Sequence, residues 1–184
     1  MARTAKRVPA AAQECPLRIG QGLDVHPLAA GRRLILGGVK VPHDRGLVGH
    51  SDADVLSHAV CDALLGALGL PDMGQRFPTS EARHRNRSSL AFLREIAAGM
   101  RSRGMELVNL DAVLVAEAPR LQPYLREMRD RIARALRSDP ERIGIKVKRG
   151  EGLGALGRCE GMMAQAVVLL RSIARLERRS RAGR

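Results

Sequence analysis

The ten residues Gly49-His50-Ser51-Asp52-Ala53-Asp54-Val55-Leu56-Ser57-His58 pack two histidines and two aspartates into the entrance of an apolar stretch. Val55, Leu56, Ala59, Val60, Ala63 and Leu64 recur at the three-to-four-residue spacing of an amphipathic helix. Ser51 with Asp54 three positions on reads as a capping pair, which predicts a helix starting at Ser51 and running to about Gly69. The free N–H groups of a first helical turn attract anions, and His50 and Ser51 stand at that mouth. His58 shares a face with Asp54, because residues four apart are neighbours on a helix. The stretch therefore predicts a phosphate at the helix mouth and a metal one turn deeper.

A second group of ligands lies upstream. Arg18-Ile-Gly-Gln-Gly-Leu-Asp-Val-His26 alternates as a strand, with Ile19, Leu23 and Val25 on one face and Asp24 and His26 on the other. A lone Asp-x-His is usually an ordinary polar strand pair. Beside the His50–His58 cluster, Asp24, His26 and His58 read better as a zinc site of one carboxylate and two imidazoles with an open fourth position.

The remaining pattern alternates strands and helices. Leu34–Val41 reads as an extended stretch turning at Gly37-Gly38, and residues 71–86 as a long polar loop of the kind that often carries function. A helix is predicted from Ser88 or Ser89 to Gly104, striped by Leu90, Leu93, Ala97 and Met100. Leu107–Ala116 reads as a central strand broken by Pro119, and Gln122–Leu136 as a third helix. Asp139-Pro140-Glu141 starts a short helical turn, and Ile143, Ile145 and Val147 alternate as a strand. Gly150–Gly161 is glycine-rich, and Met162–Leu170 is an apolar run that periodicity alone assigns to neither helix nor strand. Gly20, Gly22, Gly37, Gly38, Gly46 and Gly49 are read only as possible turns. Asp72-Met73-Gly74 and Ala116–Gln122 are undecided between simple turns or strand ends and contacts to a ribose or a base.

Length and charge narrow the class. With 184 residues the chain is long enough for one domain with a real core. No apolar run approaches the ~20 residues of a membrane span, and the basic start lacks a signal-peptide core, so a cytoplasmic protein is expected. Cys15, Cys61 and Cys159 are widely spaced and read as reduced structural thiols. The net charge of +13 invites a nucleic-acid partner. More than half of it, however, sits in residues 1–17 and 171–184, the latter holding six arginines against Glu177. Phe77, Phe92 and Tyr124 are the only aromatic residues, too few for base-stacking platforms. Nucleic acid is disfavoured, and anionic small-molecule substrates fit the charge better. Residues 1–17 are expected to be a disordered basic extension, 18–171 the domain and 172–184 a basic tail.

Taken in order, several motifs resemble one family. They are Arg18-Ile-Gly-x-Gly-x-Asp-Val-His26, Gly49-His-Ser-Asp-x-Asp-Val-x-x-His58, Asp72-x-Gly-x-x-Phe-Pro78, Ala116-x-Ala-Pro119 and Gly157-Arg-x-Glu-Gly161. Together they are similar to the 2-C-methyl-D-erythritol 2,4-cyclodiphosphate synthases. The resemblance implies an α/β (α+β) fold, a single domain with a mixed sheet covered by helices on one face. It implies a homotrimer with sheets inward and active sites between neighbours, and makes Met162–Leu170 a strand. It implies zinc on Asp24, His26 and His58, and magnesium or manganese held partly by Glu151 on a diphosphate. It assigns His50 and Arg149 to catalysis. Substrate contacts would come from Asp24, Val25, His26, His50, Ser51, Asp72, Met73, Gly74, Phe77 and Glu81. Ala116, Pro119, Arg120, Leu121 and Gln122 would line a cytidine pocket, with Lys148, Arg149, Glu151 and Arg158 also touching ligand. The chain departs from the family pattern at Lys148-Arg149-Gly150, where hydroxyl residues are usual, and at Thr79 and Glu81, where aspartates are usual. Ala53 stands for a glycine, and Ala155 for an aromatic residue lining the trimer's central cavity. The expected function is the cyclising, CMP-releasing synthase, with a weakly active or inactive cytidine-nucleotide-binding relative as the alternative.

Overall fold

The computed structural model describes residues 16–173. Most of the N-terminal extension, with Cys15, and most of the basic tail lie outside the described residues.

Alternation over the first segment produces the strand β1 (Leu17–Ala30). The predicted turn at Gly37-Gly38 joins β2 (Leu34–Leu36) to β3 (Val39–Val41), both glycines having positive φ as a tight hairpin requires. After β4 (Arg45–Leu47) come α1 (Val55–Ala67) and the single turn α2 (Met73–Arg76). The expected polar loop 71–86 is thus partly ordered, by α2 and by a 3₁₀ turn at Ala82–His84. Then follow α3 (Ser89–Ser102), β5 (Met105–Val115), α4 (Leu125–Leu136), β6 (Ile143–Lys148), the turn α5 (Gly154–Gly157) and β7 (Gly161–Ser172). The apolar run 162–170 is a strand, as the resemblance implied. Near its end Arg171 pairs with Glu106 of β5.

The five-stranded sheet runs β4-β1-β7-β5-β6, antiparallel except for the parallel β5–β6 pair. Helices cover one face. Met162, Ala164, Ala166, Val168 and Leu170 of β7 point into that core and are fully buried. The opposite face stays open: Ile19 is 72 % exposed, Leu23 58 % and Val25 60 %.

α1 lies directly on β1. A Cβ placed on Gly20 or Gly22 would fall 2.0 Å from the backbone oxygen of Ala63 or Ala59 respectively. These glycines are therefore not turns but the contact surface of a strand against a helix whose facing residues, Ala59, Ala63 and Ala67, are equally small.

The helix start differs from the expected one. Ala53 has φ +57°, which breaks the helical course, and the N-cap is Asp54, not Ser51. The Asp54 carboxylate is fully buried and accepts from Ser57 N–H (3.0 Å), Ser57 O–H (2.7 Å), Gly37 N–H (2.8 Å) and Gly38 N–H (2.6 Å). It ties the β2–β3 turn to α1 and takes the Ser57 N–H of the first helical turn for itself. Burial, with the nearby Asp52 charge, still pushes the Asp54 carboxyl up, partly offset by those donors.

Replacing Gly22 by alanine should force α1 off β1. We expect a loss of about 3 kcal/mol in urea unfolding, against no loss for Gly66→Ala within α1, whose Cβ would stand 3.7 Å from the Gln21 carbonyl oxygen.

Candidate metal centre and active site

Close packing of α1 on β1 brings His58 to the Asp24–His26 face. Asp24 Oδ2 lies 2.9 Å from His26 Nε2 and 3.0 Å from His58 Nδ1, and the two ring nitrogens are 3.2 Å apart. Among the described residues this is the one group of three or more histidines, cysteines and acids that could hold a metal ion. His26 donates its Nδ1–H to the Val48 carbonyl (2.7 Å), which leaves the Nε2 lone pair facing the centre. Two imidazole nitrogens and a carboxylate oxygen thus converge with more lone pairs than protons, the donor set of a divalent cation.

The electrostatics agree. Burial raises the Asp24 carboxyl, but hydrogen bonds and charge from His26 and His58 outweigh it and hold the group well below the usual carboxylate range. Burial likewise lowers His26, and its bonds to Asp24 and to the Val48 carbonyl reverse this, so its pKa lies above the ordinary 6.5. A proton therefore competes with a metal for this centre.

The triad opens into a cavity of about 270 Å³. His50 and Ser51 line it, together with Met73, Gly74 and Phe77. His50 Nε2 is buried with no hydrogen-bond partner among the described residues, which leaves it free to meet a polar ligand group. A larger cavity, about 490 Å³, begins on the other side of Ser51 beside Arg32 and Arg33 and holds none of the triad. Arg32 spends its guanidinium on the Leu47 and Gly49 carbonyls.

Asp62, Thr79, His84 and Phe92 also line the cavity and were not among the predicted site residues. Asp62 stands one turn beyond His58 and accepts the Met73 N–H (2.8 Å), fixing α2 at the cavity rim. The four-residue spacing from His58 was the available signal. His84 is buried between Phe77 and Phe92, with ring centroids 5.6 and 5.5 Å away. Its Nε2 lies 3.2 Å from a Glu81 oxygen but off the hydrogen-bond direction. No periodicity marks a histidine in a 3₁₀ turn.

Other predicted residues stand apart from this cavity. Val25 points to the opposite sheet face. Asp72 is exposed and caps α2 through Gln75 N–H (2.9 Å), while Glu81 binds Arg83 (2.5 Å). Ala116 and Leu121 are buried in the core, and Arg120 and Gln122 are exposed beside Pro119. Arg149 pairs with Glu117, whose second oxygen accepts Gly150 N–H (2.9 Å). Lys148 and Glu151 are exposed, and Arg158 pairs with Glu160 (2.7 Å). Register places these elements: Val25 faces Met163, Met163 faces Val115, and Val115 faces Lys148. Lys148 thus sits at the same end of the sheet as the triad, roughly 14 Å away across three strand spacings.

Fold and site together define a single-domain mixed α/β protein with two histidines and a carboxylate, a group that could hold a metal ion, at one end of its sheet. Comparison with known proteins gives it a family. Residues 17–171 match the YgbB family, and the chain belongs to it. The 2-C-methyl-D-erythritol 2,4-cyclodiphosphate synthase of Syntrophomonas wolfei is 50% identical over 154 residues, covering 84% of this chain and 98% of that protein. The protein of the same name from Moorella thermoacetica is 53% identical over 154 residues, covering 84% and 94%. Among solved structures, the IspF–CDP complex of Plasmodium falciparum superposes with a TM-score of 0.76 at 31% identity, covering 85% of this chain and 96% of that one.

Metal affinity should follow the proton competition. As pH falls through the raised His26 titration, zinc affinity should drop by about tenfold per unit, and above it the affinity should level off. Competition against a chromophoric chelator from about pH 6 to about pH 8 reads this directly. A flat profile would remove His26 from the ligand set.

Proposed function

We propose that the chain is a 2-C-methyl-D-erythritol 2,4-cyclodiphosphate synthase. It converts 4-diphosphocytidyl-2-C-methyl-D-erythritol 2-phosphate into the cyclic diphosphate and CMP. The observation that carries this reading is the convergence of Asp24, His26 and His58 on a cavity with an unsatisfied His50, in a chain half identical to proteins of that name.

An oxygen of the substrate's 2-phosphate attacks the β-phosphorus. The bond from that phosphorus to the oxygen bridging it to the α-phosphate breaks, and CMP leaves with the bonding pair. The attacking oxygen is already anionic, so no protein nucleophile or strong base is required, and catalysis is positioning and charge neutralisation. Zinc on Asp24, His26 and His58, with magnesium or manganese on the diphosphate, would supply Lewis-acid stabilisation when bound. His50, through its unpaired Nε2, and Ser51, through its hydroxyl, hold the methylerythritol phosphate. Met73, Gly74 and Phe77 bound the sugar side, with Asp72 and Glu81 shaping that rim. Ala116, Pro119, Arg120, Leu121 and Gln122 form the cytidine pocket, consistent with the CDP in the Plasmodium relative. Glu151 assists the second metal.

These cytidine and diphosphate elements lie across the sheet from their own chain's triad. A homotrimer with sheets inward explains this, because a neighbour's Lys148 edge completes the cavity and the open apolar face is covered. Arg149 is neutralised by Glu117, so Lys148 is the cation free to meet the diphosphate in place of the family's hydroxyls. Glu151 and Arg158 retain their assignments.

The purified protein, loaded with zinc and magnesium, should release CMP and the cyclic product in equal amounts. His58→Ala should lose at least about a hundredfold in kcat/KM, and Lys148→Ala about tenfold, the size of one charge-assisted contact. Binding of CMP without turnover would instead favour the inactive nucleotide-binding relative. In a separate measurement, Leu23→Asp on the open face should shift the sedimentation of the native protein from trimer to monomer. A monomeric native protein would overturn the shared-site reading.

A further inference from the structure

His58 has two ring nitrogens, and the metal reading uses only Nδ1. Its Nε2 lies 2.8 Å from Ser89 Oγ and 3.1 Å from Ser51 Oγ. Ser89 opens α3 and is fully buried, yet its hydroxyl does not cap its own helix. Instead the hydroxyl donates to Asp52 Oδ1, while its backbone N–H donates to Asp52 Oδ2 (2.9 Å). Separate backbone bonds dock this segment onto the histidine stretch: Asp52 N–H to the Arg87 carbonyl (3.1 Å) and Asn86 N–H to the His50 carbonyl (2.9 Å).

Counting protons along this chain fixes the imidazole. An ionised carboxylate only accepts, and a serine hydroxyl has one hydrogen. With that hydrogen committed to Asp52, Ser89 Oγ offers His58 a lone pair, so Nε2 must carry a proton, and in the neutral imidazole Nδ1 is the nitrogen left bare. We propose that Asp52 and Ser89 are positioning residues that lock the metal-binding tautomer of His58, aiming its Nδ1 lone pair at Asp24 and His26. Ser51, which also faces Nε2 and accepts weakly from Ala53 N–H (3.4 Å), is left with its hydroxyl hydrogen free for a ligand in the cavity. The inference rests on the metal reading of the triad and adds what sets its geometry.

Two variants separate a lock from a structural link. Ser89→Ala keeps the backbone bonds and removes only the hydroxyl. Its metal-free unfolding midpoint should stay near that of the native protein, while its zinc Kd rises about tenfold to a hundredfold. Asp52→Asn makes a sharper demand. Turning the amide nitrogen toward Ser89 N–H would set two donors against each other, so the amide nitrogen faces Ser89 Oγ. That turns the hydroxyl hydrogen onto His58 Nε2 and drives the ring proton to Nδ1. Ring-nitrogen NMR of the metal-free proteins in alkaline buffer should therefore show the Nε2–H form in the native chain, a mixture in Ser89→Ala and the Nδ1–H form in Asp52→Asn. Zinc affinity should fall in the same order. If the native chain binds zinc and both variants match it in tautomer and affinity, the lock is wrong and the metal reading stands. If affinity falls only as far as metal-free stability does, with no tautomer change, the link is merely structural. If the native chain takes up no zinc, the metal reading fails and the inference with it.

Discussion

Everything at this site depends on how closely α1 approaches β1. Helices ordinarily stand off a sheet by the thickness of two side-chain layers. Here Gly20 and Gly22 remove one layer and Ala59, Ala63 and Ala67 thin the other, so helix backbone touches strand backbone. That contact is what allows His58, the residue before Ala59, to reach a carboxylate and an imidazole on the same strand. With larger residues at these positions the three ligands would still exist but would not converge. The packing contact and the convergence of Asp24, His26 and His58 are one feature of the fold.

Polar groups then organise what the close packing brings together. Asp54 and Asp52 stand two residues apart and divide the labour. Asp54 turns inward, where four donors consume its carboxylate and hold the β2–β3 turn against the helix start. Asp52 turns to the start of α3 and accepts both the N–H and the O–H of Ser89. The left-handed Ala53 between them is what sends the two side chains in different directions. A non-glycine residue in that conformation costs roughly 1 kcal/mol, a cost that the hydrogen bonds of Asp52 and Asp54 on either side offset.

Much of this was legible in the amino-acid order. Alternation placed Asp24 and His26 on one face of a strand, and helical spacing placed His58 on the facing helix, because both periodicities are properties of the backbone. What was not legible turned on conformation or distance. Gly20 and Gly22 read as possible turns, since a glycine that permits a bend and one that permits contact are the same letter. Ser51 read as an N-cap because the Ser-x-x-Asp spacing is right, but a positive φ at Ala53 moved the start to Asp54. The apolar run at 162–170 carried no period because it occupies the middle of the sheet, with Met163, Val167 and Leu169 on the open side and a sealed core on the other. Ser89 could be seen only as a helix start; its hydroxyl's partner lies 37 residues away.

The departure at Lys148-Arg149-Gly150 is best understood as a charge balance. Two cations in place of two neutral hydroxyl residues would add two positive charges beside a diphosphate. Glu117 removes one of them locally, pairing with the Arg149 guanidinium and taking the Gly150 N–H as well. The bond to Glu117, backed by the Arg149 charge, also holds the Glu117 carboxyl below its usual range, so the pair stays ionised. The loop after β6 is thereby fastened to the segment after β5, the two stretches proposed to hold diphosphate and cytidine. A hydroxyl residue could donate one hydrogen bond to Glu117 but could not neutralise its charge. On this view the substitution trades a hydrogen-bonding loop for a pinned one with a single free cation, Lys148, at its start.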